Sequence, residues 1–188
     1  MRNEPIKILV VDDLPGQLVV YRSILEDDGQ EVVAVSSGAD ALREVLRHDF
    51  AVILLDVNMP VMDGFETAAL IRARRRSALT PIIFVTAHAD ELHTLRGYSY
   101  GAVDFILSPV VPEILRTKVK VFVDLFRLNQ HVRDQAAREV ASAEREQARL
   151  ADLLERGTDF VARIETALSV SAVNRAGREM LGYGPDGL

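Results

Sequence analysis

An α/β fold, built as a doubly wound parallel sheet of five strands with a long C-terminal helix, is what this 188-residue sequence predicts. Two observations carry that expectation. Short apolar segments recur five times with helix-spaced segments between them and short connections throughout, which is the pattern of parallel βαβ units. In the middle of the chain, Ala51-Val52-Ile53-Leu54-Leu55 runs straight into Asp56. A continuous apolar run of this length reads as a strand buried on both faces. A carboxylate is not kept deep in such a sheet without a partner. Asp56 therefore belongs at the strand's carboxyl end, where ligands bind in open α/β sheets.

The other elements follow in order. Ile6-Lys7-Ile8-Leu9-Val10-Val11 is a strand that ends in Asp12-Asp13. Leu18, Tyr21 and Leu25 give residues 14–28 helical spacing, with Gly29 as the cap. Glu31-Val32-Val33-Ala34-Val35 is the second strand, and Ser36-Ser37-Gly38 opens a helix over 39–48 with a serine hydroxyl to cap it. After Asp56, Met59-Pro60 stops any helix, and Asp63-Gly64 supplies turn chemistry ahead of a helix over 65–72. Arg74-Arg75-Arg76-Ser77 reads as a solvated basic turn. Pro81-Ile82-Ile83-Phe84-Val85-Thr86 is the fourth strand, residues 91–98 a short helix, and Val103-Asp104-Phe105-Ile106-Leu107 the fifth strand. Ser108-Pro109 ends it, and Pro112 begins a helix at a position where proline is tolerated.

The flavodoxin-like strand order 2-1-3-4-5 makes the ends of strands 1 and 3 neighbours at the topological switch point. Asp12, Asp13 and Asp56 then converge. Residues 126–156 contain no Gly or Pro. Leu125, Leu128 and Val132 are spaced like a coiled-coil seam, which Ala136, Val140, Ala143, Gln147, Leu150 and Leu154 resume after a four-residue step. So thin a stripe buries too little for a lone helix, and a parallel homodimer is the expected partner arrangement. A solvated, partly frayed helix is the plainer alternative. Residues 160–164 and 168–173 read as short strands and 174–181 as a short helix, a tail too small to close its own core. The expected domains are 5–125, 126–156 and 157–188.

Composition narrows the function classes. Hydrophobic content of 48% and charged content of 27% are those of a soluble globular protein. The absence of cysteine excludes a disulfide framework, a cysteine zinc site and a thiol nucleophile. A net charge of −6 argues against a nucleic-acid surface. No apolar run reaches membrane-spanning length, and Met1-Arg2-Asn3-Glu4-Pro5 lacks the apolar core of a signal peptide. A cytoplasmic location without a membrane partner is expected.

Three carboxylates at one edge would drive each other towards protonation unless a cation were present. Magnesium suits them, because it takes hard oxygen ligands and leaves positions for water and phosphate. A carboxylate beside it can attack a phosphoryl group to give an aspartyl phosphate. Each residue alone has a plainer use: Asp12-Asp13 as a loop or cap, Asp56 as a cap, Thr86 as a β-branched strand residue. Their joint placement at strand ends is what points to chemistry.

At these residues the chain resembles a response-regulator receiver domain of two-component signalling, over about residues 6–125. The matching pieces are Val10-Val11-Asp12-Asp13, Asp56-Val57-Asn58-Met59-Pro60-Val61-Met62-Asp63-Gly64, Val85-Thr86-Ala87, and Gly101-Ala102 leading to Phe105. The resemblance implies that Asp56 is the phosphoacceptor, with Asp13 ligating Mg2+ directly and Asp12 mainly through water. It implies that Asn58 offers its backbone carbonyl to the metal, that Thr86 hydrogen-bonds the phosphoryl group, and that Phe105 changes rotamer with it. The donor would be a histidine kinase or histidine phosphotransfer protein, and the chain would accept its phosphoryl group stoichiometrically rather than act as an enzyme. One departure stands out: the family usually has a lysine where this chain has Ser108. Lys7, Lys118 and Lys120, the three lysines present, are not placed to substitute, and Ser108 offers a hydrogen bond without a charge.

His88 falls two residues after Thr86 and would shape access to the phosphoryl group, whereas His48, His93 and His131 read as residues of solvated helix faces. The tail, through Asp159-Phe160-Val161, Val173-Asn174-Arg175-Ala176 and Met180-Leu181-Gly182-Tyr183, resembles the opening of a PAS sensor domain. Two competing readings remain. One is a pseudo-receiver that serves as a dimerisation or docking module, its pocket inactive for want of the lysine. The other is a magnesium-dependent aspartyl-phosphate phosphatase, although those enzymes place their two aspartates two residues apart and Asp12 and Asp13 are adjacent.

Overall fold

The computed structural model describes residues 5–26, 30–87, 104–157, 162–164 and 170–182. In chain order the elements are β1 (Lys7–Val11), α1 (Pro15–Leu25), β2 (Glu31–Val35), α2 (Gly38–Arg47), β3 (Val52–Asp56), α3 (Gly64–Arg72), β4 (Ile82–Thr86), β5 (Asp104–Leu107), α4 (Pro112–Arg156), β6 (Ala162–Ile164), β7 (Val170–Val173) and α5 (Arg175–Leu181). The expected helix over 91–98, His88, His93, Gly101-Ala102, Gly29 and parts of both tail strands lie outside the described residues. The backbone divides into two compact units, Met1–Gln130 and His131–Leu188.

In the first unit five strands pair in the order β2-β1-β3-β4-β5, all in parallel, as the sequence predicts. Val52 to Leu55 and Ile82 to Thr86 are buried throughout, because helices cover both sheet faces. One apolar layer joins β1 and β3 to Tyr21, Ile24 and Leu25 of α1 and to Leu115, Val119 and Val123 of α4. The other joins Leu9, Ile53 and Phe84 to Ala41 and Val45 of α2 and Ala68 and Ile71 of α3.

Local chemistry sets the helix starts. Ser37 Oγ accepts from the Asp40 N–H at 3.2 Å, and Pro15 opens α1. Asp63 and Glu66 form a reciprocal capping box: the Asp63 carboxylate accepts from the Glu66 N–H at 2.7 Å, and the Glu66 carboxylate from the Asp63 N–H at 3.3 Å. The basic stretch after α3 is solvated at Arg75 and Arg76, as expected, and is tied down around them. Arg72 donates to the carbonyls of Ala78 and Thr80, Ser77 is buried with its hydroxyl on the Ile71 carbonyl, and Arg76 grips Asp49 through two hydrogen bonds. His48 likewise departs from the expected solvated face. It is half-buried at the end of α2, 3.2 Å from Lys7 Nζ and edge-on to Phe50.

In α4 only Leu115, Val119 and Val123 are buried, all within its first turns. Leu125, Leu128, Val132, Val140, Leu150 and Leu154 are 50–59% exposed, so nothing in the described chain covers that stripe. In the second unit, β6 and β7 pair antiparallel, and Asn174 ties their end to the helix. Its Nδ2 donates to the Leu154 carbonyl at 2.9 Å, while its Oδ1 accepts from the Gly177 N–H at 3.0 Å and caps α5.

Gly64 is the point at which α3 presses on the end of β3. A Cβ there would lie 2.3 Å from the Asp56 carbonyl oxygen and 2.9 Å from the Val57 Cα, both backbone atoms. Gly64→Ala is expected to destabilise the fold by about 3 kcal/mol or more, the range for forced overpacking and backbone displacement. Denaturant unfolding measures it. A loss below 1 kcal/mol, about the helix-propensity scale, would mean that the contact relaxes freely.

Candidate functional site

The parallel ladder between β1 and β3 sets Val11 opposite Leu55, so the next residues on each strand, Asp12 and Asp56, emerge side by side. Asp12, Asp13 and Asp56 each offer a carboxylate oxygen, and these oxygens all lie within 4.8 Å of one another. Asp12 is buried, while Asp13 and Asp56 are half-exposed. The Asp12 carboxylate also accepts from the Leu14 N–H at 2.8 Å, which orients it and turns the chain into α1. The three acids expected to converge do so.

Electrostatics follow from this crowding. Asp56 has its pKa pushed up to about 6, first by burial, then by the charge of Asp12, against the opposing backbone hydrogen bonds from Asn58 and Val57. Asp12 is also raised, chiefly by burial, with Asp13 adding to it and the Leu14 N–H working against it. Tyr21, buried beneath, feels the same field: burial first, then the charges of Asp12 and Asp56, hold its phenol protonated beyond its ordinary range.

The donor set fits a magnesium ion. Octahedral ligands about 2.1 Å from the metal are roughly 3 Å apart when adjacent and about 4.2 Å when opposite, close to the span of these three oxygens. All are hard carboxylate oxygens, two of them open to solvent, which leaves room for water and a phosphoryl oxygen.

Thr86, Ser108 and Asn58 lie at the same end of the sheet, and Phe105 falls two residues short of it on β5. Asp56 pairs in register with Val85, which places Thr86 one step further along β4, buried at 1% exposure. Thr86 pairs with Leu107, and the Ser108 N–H donates to the Thr86 carbonyl at 2.8 Å, which binds the ends of β4 and β5 together. Asn58 lies exposed in the loop after β3. Phe105 is half-buried, its ring 5.7 Å from that of Phe84, which in turn meets Phe65 edge-on at 4.9 Å. This aromatic row was not read from the sequence, although Phe65, Phe84 and Phe105 are visible there at the starts and middles of their elements. Lys118 is ion-paired with Asp104 at the amino end of β5, and Lys7 lies 3.6 Å from Glu31 at the amino end of β1. Both are at the opposite end of the sheet from the acids.

Known proteins share this arrangement. Residues 8–120, more than half of the chain, match the family model of the response regulator receiver domain. The chain is 37% identical over 107 residues to the sensor protein GacS of Pseudomonas syringae pv. syringae, covering 55% of this chain but 12% of GacS. It resembles the solved chemotaxis protein CheY4 of Vibrio cholerae with a TM-score of 0.60 and 32% identity, over 63% of this chain and 98% of CheY4. A further likeness, at TM-score 0.59 and 28% identity over 64% of this chain and 98% of the other, is to the receiver domain of the sensor histidine kinase PA1611 of Pseudomonas aeruginosa PAO1. That structure has a magnesium ion coordinated in its active-site cleft. Sheet order, acid cluster and matched residues converge on one assignment: through residues 8–120, this chain belongs to the response regulator receiver domain family.

Proposed function

We propose that the chain is a phosphoacceptor module of a two-component phosphorelay, taking a phosphoryl group onto Asp56 from a phosphohistidine on a histidine kinase or histidine phosphotransfer protein. The observation that carries this reading is the meeting of Asp12, Asp13 and Asp56 at adjacent strand ends, with Asp56 poised near pH 6. In the transfer, an Asp56 oxygen bonds to phosphorus as the phosphorus–nitrogen bond breaks, and the departing imidazole keeps the electron pair and takes a proton from solvent. Asp13, Asp56 and the Asn58 carbonyl would hold magnesium, with Asp12 acting through water, and the ion would supply positive charge against the phosphoryl oxygens. Thr86 hydrogen-bonds the phosphoryl group and Phe105 reorients with it. The reaction is stoichiometric, and a cytoplasmic location fits such a donor.

The exposed stripe from Leu125 to Leu154 supports a parallel homodimer through α4 as the route by which the phosphorylated state is passed on. The β6–β7 ribbon and α5 would then be the start of a PAS-like segment. Ser108 favours a second reading, a pseudo-receiver that docks or dimerises without phosphorylation, because the acid cluster lacks the fixed cation that the family usually supplies there.

Incubation with acetyl phosphate and magnesium separates the two. The phosphoacceptor reading expects one added phosphoryl group by intact mass, lost in Asp56→Ala, with Ser108→Lys altering the phosphoryl lifetime several-fold. No labelling of the parent chain would leave the pseudo-receiver. Catalytic turnover of small phosphate esters would mark an enzyme instead.

Asp56 also predicts a pH dependence. Its folded pKa, about 6, exceeds the 3.8 of an unperturbed Asp. Between these values the folded state holds more protons, so without metal the stability contributed at this residue falls as pH rises from about 4 to about 6. Asp56→Asn removes that loss and is expected to stabilise the metal-free protein at pH 7 by roughly 1–3 kcal/mol. Magnesium stabilises the parent and leaves the variant nearly unmoved. A variant no more stable than its parent in chelator would contradict the strained-carboxylate account.

A further inference from the structure

Tyr21 is the largest side chain enclosed among the described residues, 2% exposed, and its hydroxyl is the one polar side-chain group in an otherwise aliphatic and phenylalanine-filled layer. A phenylalanine would fill the same space with no polar atom to satisfy. A buried tyrosine hydroxyl ordinarily finds a partner, yet this one makes no hydrogen bond to any described residue. At the same time, no fully enclosed side-chain oxygen or nitrogen among the described residues is left without a partner. The small surface that Tyr21 keeps therefore includes its phenol oxygen, and water touches it there.

The fold decides where that oxygen lies. Helix α1 begins beside the acids, where Asp12 holds the Leu14 N–H, and runs away from them. Tyr21 sits six residues beyond Pro15, about 9 Å along the axis. Long side chains on a helix lean back towards its amino end, which here is towards the acids. The sheet supplies the other half. Tyr21 packs in one layer with Val10 of β1 and Leu54 of β3. Side chains two apart on a strand share a face, so Asp56 stands just beyond Leu54 on that face. Asp12, whose N–H still bonds the Val35 carbonyl at 3.2 Å, stands just beyond Val10. The two carboxylates thus roof the layer that the ring fills. The charges of both reach the phenol, Asp12 before Asp56, whereas a ring turned down the helix would carry its oxygen away from them.

We propose that Tyr21 is a positioning residue of the acid pocket, its phenol O–H donating from beneath, through one bridging water, to the Asp12 carboxylate. This uncharged donor eases the crowding of Asp12, Asp13 and Asp56 while no cation is bound. The proposal rests on the three acids forming one cation site, and holds whether or not Asp56 takes a phosphoryl group. Magnesium relieves the same repulsion once it binds. The hydroxyl therefore stabilises the metal-free protein more than the loaded one, and by linkage its removal tightens metal binding.

Tyr21→Phe keeps the ring and deletes the donor. Magnesium alone is titrated into parent and variant by calorimetry, and both are unfolded in denaturant, once with chelator and once at saturating magnesium. The variant is expected to bind magnesium roughly three- to tenfold more tightly, the span of one hydrogen bond's net contribution. It should also lose stability in chelator, most of which magnesium restores. In an Asp12→Asn background the loss in chelator should vanish, because the charged acceptor is gone. Unchanged or weaker magnesium binding in Tyr21→Phe would overturn the role and leave the hydroxyl a purely structural group. A loss in chelator that persists undiminished beside Asp12→Asn would show that the phenol faces elsewhere, and would overturn it too. No magnesium binding by the parent would remove the cation site itself, and this role with it.

Discussion

Three negative charges that cannot move apart are the constraint on which this structure depends. Parallel pairing of β1 with β3 fixes where Asp12 and Asp56 emerge, and Asp13 follows directly on Asp12. Burial prevents water from fully screening them, so Asp56 is lifted to about 6 and the neighbouring Tyr21 phenol is held protonated. Such a site is uncomfortable alone and matched to what relieves it: a divalent cation, with a phosphoryl group completing its shell. The chemistry proposed for Asp56 is thus a consequence of strand register more than of any unusual side chain.

The rest of the first unit keeps that register rigid. Gly64 permits α3 to start against the backbone of Asp56, the capping box pins its first turn, and the Ser108–Thr86 hydrogen bond holds β4 and β5 level with the acids. Phe65, Phe84 and Phe105 form a continuous aromatic row, with ring centroids 4.9 and 5.7 Å apart. Among the described residues no lysine stands beside the acids: Ser108 occupies the usual lysine position, and Lys118 and Lys7 are engaged with acids at the far end of the sheet.

Much of this was legible in the sequence because the relevant physics is local and periodic. Short apolar runs broken by helix-spaced segments dictate the sheet, and acids placed just beyond such runs must lie at strand ends. Asp12, Asp13 and Asp56 are found in that way, whereas the role of Thr86 comes from the receiver resemblance. Features that depend on close approach were not legible. Gly64 reads as an ordinary turn glycine until the Asp56 carbonyl is seen beneath it. Val61 carries no sign of its positive φ of 70°, a conformation that β-branched residues rarely adopt. The Asp63-x-x-Glu66 spacing of the capping box was present and overlooked. His48 looked solvated because Lys7 and Phe50, its neighbours, come from other elements.

A single assertion, that the loops after β1 and β3 together cradle one divalent ion, is open to direct inspection. Diffraction from crystals soaked in Mn2+, read by anomalous scattering, should reveal one strong peak about 2.1 Å from oxygens of both Asp13 and Asp56. No peak there at saturating metal, or separate peaks that each touch only one loop, would contradict it.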